Sequence, residues 1–168
     1  MLTDLSECLD RAKTGGKTRI AVAAAADPHV LEAVHDAAGA GIAESILVGA
    51  GGEIEKLAAK IGMDLRKTEI VDVHDPTEAC DRAVALIKEG RAGILMKGLV
   101  GTGTLLKAVL DKDRGLRTGL LLSHTGVFQS PYYRKLFAVT DAAMNVAPGF
   151  EEKNGILANA VEMFHRLG

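Results

Sequence analysis

A chain of 168 residues has the length of one ordinary domain and enough material for a sizeable core. With 48% hydrophobic residues, 25% charged residues, a net charge of −2 and no long basic block, it has the balance of a water-soluble globular protein and no electrostatic basis for holding nucleic acid or a membrane surface. No apolar run reaches membrane-spanning length, and the mixed-charge start "MLTDLSECLDRAK" is unlike a secretion signal.

The opening "LTDLSECLDRAK" predicts a short helix, with Thr3 or Asp4 as its cap. "RIAVAAAA" is short, apolar and bounded by breakers, which predicts a buried strand. In "DPHVLEAVHDAAGAG", Asp27 can cap a helix and Pro28 suits its first position, with Leu31, Val34 and Ala38 on one face. A second strand, "ESILVGAGG", ends in glycines, then a helix "EIEKLAAKIGM" and a third strand "TEIVDV". "DPTEACDRAVALIKEG" repeats the Asp-Pro helix start and closes on Gly90. "AGILMKG" is a fourth strand and "TGTLLKAVLDKD" the helix after it. The rhythm then changes to two extended segments, "LLLSHTGVFQ" and "KLFAVTDAAMN", joined by a turn at "SPYYR". A helix, "GFEEKNGILANAVEMFHRLG", runs to the last residue.

This alternation predicts residues 1–168 as a single α/β domain, with helices on both faces of a mostly parallel sheet and some antiparallel character late in the chain. Cys8 and Cys80 are far apart and read as reduced thiols, so the expected compartment is the cytoplasm. The expected metal content is none, since no histidine pair has zinc-helix spacing; His29, His35, His74 and His165 read as surface or boundary residues. "RAKTGGKT" lacks the first glycine of a phosphate-binding P-loop at Arg11, and it precedes a strand instead of following one. "GAGGEI" and "GTGTLL" miss the third dinucleotide-fingerprint glycine at Ile54 and Leu106.

Three clusters fall at predicted strand ends, where ligands of open α/β sheets bind. The first is "KGLVGTGTLLK". Lys97 and Gly98 end a strand, and Gly101, Thr102, Gly103 and Thr104 crowd a helix start, with Lys107 on the second turn. Backbone N–H groups, hydroxyls and lysines there suit a phosphate or acyl phosphate. The alternative is that Thr102 or Thr104 caps the helix and Lys107 is solvated. The second cluster, "GLRTGLLLSH", sets Arg117 and Thr118 between glycines and ends on Ser123 and His124. It is either a guanidinium grip on phosphate or a surface loop. The third, "VTDAAMN", offers Asp141 and Asn145, as site residues or as caps of the next turn.

Together these segments resemble the phosphate acetyl/butyryltransferase family. The nearest branch is phosphate butyryltransferase, whose members carry similar "KGLV-x-T", "GLRTG-x-LLSH" and "TDAAMN-x-AP" segments. "RIAVAAAADPHVLEAV" also fits, so the resemblance covers nearly the whole chain. It implies a three-layer α/β/α fold like the isocitrate and isopropylmalate dehydrogenases. It also implies a reaction in which acyl-CoA and phosphate give acyl phosphate and CoA, with butyryl or acetyl as the acyl group. CoA and phosphate would be substrates, and no cofactor is implied. Ser123 and Lys107 would act catalytically. Lys97, Gly98, Gly101, Thr102, Gly103, Thr104, Arg117, Thr118 and Asp141 would line the phosphate end.

Two departures accompany the resemblance. The acetyltransferase branch tends to place arginine where Lys107 stands, which weakens a bidentate grip here. Family enzymes are also about twice one domain in length, and their late Ser-Arg-Asp set has no matching positions. The expectation is therefore a homodimer, or a separate chain that supplies the remaining family sequence. The competing expectation is a truncated, non-catalytic remnant that binds an anion or a partner. If the remaining family sequence normally covers one face of this domain, an exposed apolar patch is expected, which self-association would cover.

Overall fold

Successive side chains of the first two strands pack alternately on opposite faces of the sheet, and this alternation builds the layers. The computed structural model describes residues 4–168. In chain order the elements are α1 (Ser6–Thr14), β1 (Thr18–Ala23), α2 (Pro28–Gly39), β2 (Ala43–Gly49), α3 (Gly51–Ile61), β3 (Glu69–Asp72), α4 (Pro76–Lys88), β4 (Ile94–Lys97), α5 (Thr102–Val109), β5 (Gly126–Ser130), β6 (Tyr133–Val139) and α6 (Phe150–Leu167). They divide into two units. One is Gly15–Arg117, and the other joins the described residues up to Thr14 with Thr118–Gly168.

In the unit Gly15–Arg117, four strands form a sheet ordered β3-β2-β1-β4, with every pair parallel. Ala21, Ala23, Ile46 and Val48 face one side and pack with Cys80, Ala83, Val84 and Leu86 of α4 and Leu105 and Ala108 of α5. Their neighbours Val22 and Leu47 face the other side and meet Leu31 and Val34 of α2 and Ile54 and Ala58 of α3. Strands buried on both faces read as continuous apolar runs, as these do. Each fully buried leucine or isoleucine contributes about 2 kcal/mol of transfer free energy. The result is the three-layer α/β/α arrangement. Burial, with Asp81 and Asp75 nearby, pushes the Cys80 thiol up, so it packs as a protonated core residue.

The Asp-Pro helix starts form as expected. Asp27 accepts the Val30 N–H at 3.0 Å, and Asp75 accepts those of Thr77 and Glu78 at 2.8 and 2.9 Å. Two details differ. Gly51 and Gly52 do not trail a strand; they form the first turn of α3, because Asp72 at the end of β3 accepts the Gly51 N–H at 2.7 Å. Ala38 is exposed, because the buried stripe of α2 is held by Leu31 and Val34 and passes Ala38 by.

In the other unit, Asp4 caps α1 by accepting the Ser6 N–H at 2.7 Å, while Thr3 lies outside the described residues. β5 and β6 pair antiparallel as a separate two-stranded sheet, not as added strands of the parallel one. Phe128 and Phe137 face each other in register and stack with centroids 5.7 Å apart. The extended stretch expected from Leu120 becomes strand only at Gly126. Leu121, Leu122 and His124 give backbone groups to side chains of residues 140–159 instead of to a neighbouring strand.

Candidate functional site

At the carboxyl end of the parallel sheet, β1 and β4 continue to pair for two residues past their strands. Gly98 N–H donates to Ala23 O and Leu99 N–H to Ala24 O, each at 2.8 Å. Ala24 takes a positive φ of 54° to allow this. Gly98 is buried, and a Cβ on it would lie 2.2 Å from Ala24 O, so only glycine fits. Lys97 Nζ donates to Gly98 O at 3.2 Å and Val100 O at 3.1 Å, which folds the lysine over the loop that leads into α5.

The start of α5 differs from the others around this sheet edge. Asp27, Asp72 and Asp75 fill the first turns of α2, α3 and α4 with carboxylates. Gly101 is the N-cap of α5, in extended conformation, and no side chain caps it. The capping role open to Thr102 and Thr104 is thus not realised, since both lie inside the first turn. The Thr104 N–H donates to Gly101 O at 3.0 Å, and the positive end of the helix dipole lies at the exposed residues Gly101, Thr102 and Gly103. One turn on, Thr104 and Lys107 line a polar cavity of about 270 Å³ with Thr77, Asp81, Asp111 and Arg114. Arg114 pairs there with Asp81 at 3.6 Å and Asp111 at 3.8 Å. Arg117 is exposed and has no ion-pair partner among the described residues. Lys97, Gly98, Gly101 to Thr104, Lys107 and Arg117 all belong to the unit Gly15–Arg117.

Thr118, Ser123 and Asp141 belong to the other unit. Thr118 Oγ1 accepts the Leu120 N–H at 3.4 Å. Ser123 sits in a segment tied at consecutive residues. Asn159 Nδ2 donates to Leu121 O and to Ser123 Oγ, both at 2.9 Å. Asn145 Nδ2 donates to Leu122 O at 3.0 Å, and Thr140 Oγ1 to His124 O at 2.6 Å. Asp141 completes this mesh by accepting the N–H groups of Ala143 and Met144 at 3.0 and 2.9 Å and the Asn145 amide at 2.6 Å. Desolvation pushes the Asp141 carboxyl up, but these bonds and one from the His124 backbone outweigh it and hold the pKa well below the usual carboxylate range. Asp141 is therefore ionised, and its contacts are those of a loop organiser.

Asn159 and Arg114 carry no motif signal in a single sequence. Asn159 occurs in the middle of a helical pattern, and Arg114 in a turn. No group of three or more metal-ligating side chains occurs among the described residues. No helix among the described residues is long and apolar enough to cross a membrane.

A family model described as "Phosphate acetyl/butaryl transferase" matches residues 4–83 and 77–168. The phosphate butyryltransferase of Clostridium beijerinckii is 45% identical over 168 residues, covering 100% of this chain and 56% of that protein. The phosphate butyryltransferase of Clostridium acetobutylicum is 43% identical over the same span and coverage. Among solved structures, a branched-chain phosphotransacylase from Enterococcus faecalis V583 superposes with a TM-score of 0.74 at 27% identity, over 90% of this chain and 52% of that one. The chain spans about half the length of the curated relatives it matches.

Proposed function

We propose, on the premise that this chain belongs to the phosphate acetyl/butyryltransferase family, that it carries the phosphate side of a site for acyl-CoA + phosphate ⇌ acyl phosphate + CoA. A phosphate oxygen attacks the thioester carbonyl and forms the new C–O bond. The tetrahedral oxyanion collapses, the C–S bond breaks, and the thiolate leaves as CoA. A protein accelerates this by holding two anionic reactants in line and stabilising the oxyanion. CoA and phosphate are substrates in this reading, and no metal or redox group enters a step.

The observation that carries the proposal is the uncapped start of α5 at the carboxyl end of β4. Gly101 and Gly103 admit an anion close to the backbone, and the first-turn N–H groups and the Thr102 hydroxyl donate to it. Thr104 and Lys107 extend the donor set along the helix, and Lys97 adds positive charge over the loop. Arg117 offers a planar fork for phosphate beside Thr118. In the other unit, Ser123 is the candidate polar group for the reaction, on a loop that Asp141 organises. Butyryl is the acyl group in the names of the two Clostridium relatives, and acetyl stands beside it in the family's description.

The test is CoA release from butyryl-CoA and acetyl-CoA by the purified chain, with and without phosphate. Phosphate-dependent release that falls about tenfold or more in Thr104→Ala and Arg117→Ala supports the proposal. If no release occurs while phosphate still raises the melting temperature, the chain binds the anion without turnover.

A further inference from the structure

The geometry points to Asn159 as a positioning residue that presents the Ser123 hydroxyl as a hydrogen-bond donor to the anionic substrate; this rests on the acyltransfer reading above. The side-chain atom of Asn159 nearest Ser123 also lies 2.9 Å from Leu121 O. A backbone carbonyl only accepts, so that atom is the amide nitrogen, and the flip of the amide is settled. The same nitrogen therefore donates to Ser123 Oγ and occupies one of its lone pairs. The serine's own proton is left to point at another acceptor, and a hydroxyl that accepts one hydrogen bond donates a stronger one.

The surroundings fix this arrangement from several directions. Asn145 Nδ2 bridges Leu122 O and Asp141 Oδ2, both pure acceptors, so its orientation is settled in the same way. Thr140 holds His124 O. The backbone on both sides of Ser123 is thus immobilised before any ligand arrives, which lowers the ordering cost of binding. One helical turn before Asn159, Gly155 faces Leu121, where a Cβ would lie 3.2 Å from Leu121 Cδ2. The glycine lets α6 come close, and the i, i+4 spacing then puts Asn159 on the same face, within reach of Ser123.

The experiment is a titration of the full chain with inorganic phosphate. It is followed by the Ser123 backbone amide signal in 1H–15N NMR, with thermal melts to establish the fold of each variant. In the wild type the signal moves with phosphate. Asn159→Ala weakens binding about tenfold, the scale of one hydrogen bond to a charged group, and has no further effect in a Ser123→Ala background. Asn159→Asp is isosteric but turns the serine proton inward. Its deficit is large at pH 7 and shrinks as pH falls toward about 4, where the new carboxyl protonates. The inference is overturned if Asn159→Ala weakens binding equally in both backgrounds, if the Asn159→Asp deficit ignores pH, or if the folded wild type shows no Ser123 response. CoA release measured on the same samples judges the acyltransfer reading separately. Turnover with a silent Ser123 keeps that reading and sinks this one. A coupled Ser123 response without turnover does the reverse.

Discussion

Gly98 and Ala24 share a space that has no room for a methyl group: a Cβ on Gly98 would stand 2.2 Å from the Ala24 carbonyl oxygen. The contact holds the ends of β1 and β4 together and sets where the loop to α5 begins. The three atoms nearest the would-be Cβ are all backbone atoms, so no rotamer change relieves the clash. Gly98→Ala is expected to destabilise the chain by about 3 kcal/mol. Urea denaturation of the variant measures this; an unchanged midpoint would refute the close approach.

Gly101 offers the opposite case. It is exposed, its backbone is extended, and a Cβ at this position would have Thr104 Oγ1 as its nearest atom, at 3.8 Å. Gly101→Asp places a capping carboxylate where Asp27 and Asp75 sit on α2 and α4. Stability is expected to hold or rise by about 0.5 kcal/mol, while the phosphate-induced rise in melting temperature disappears. A retained phosphate effect in Gly101→Asp would place the anion elsewhere.

Asp141 makes the acid side of stability predictable in sign. Its pKa is depressed in the folded chain. The group therefore contributes stability that is fully present above the unfolded value, near 3.9, and is lost as pH falls through the folded one. The gap in melting temperature between wild type and Asp141→Asn should be constant from pH 8 to about 5 and close below about 4. A gap that opened between pH 6 and 8 would assign the titration to another group.

The hairpin carries an apolar face. Phe128, Tyr133, Phe137 and Val139 are all exposed, with Tyr133 edge-on to Phe137 at 6.2 Å. Such a face on a sheet with two free edges favours self-association. Light scattering at rising concentration should show a dimer or larger species, and Phe137→Glu should shift it toward monomer. A clean wild-type monomer at high concentration would rule this out.

The parallel sheet and its helices were legible in the chain because each signal was local. Apolar runs between breakers marked β1, β2 and β4, and Asp-Pro at residues 27–28 and 75–76 marked two helix starts that formed as expected. The segment 97–104 stood out for the same reason, since glycines and hydroxyls at a helix start are adjacent in sequence. Residues far apart in sequence were decided by tertiary structure. Asp72 caps a helix that begins 21 residues earlier, and Asn159 reaches a serine 36 residues before it. No period or motif encodes such pairs, because a hydrogen bond depends on where two segments end up in space. The glycine-threonine helix start was readable along the chain. That it stays uncapped, and that Ser123 is held by an asparagine on the last helix, became visible only when the chain was folded.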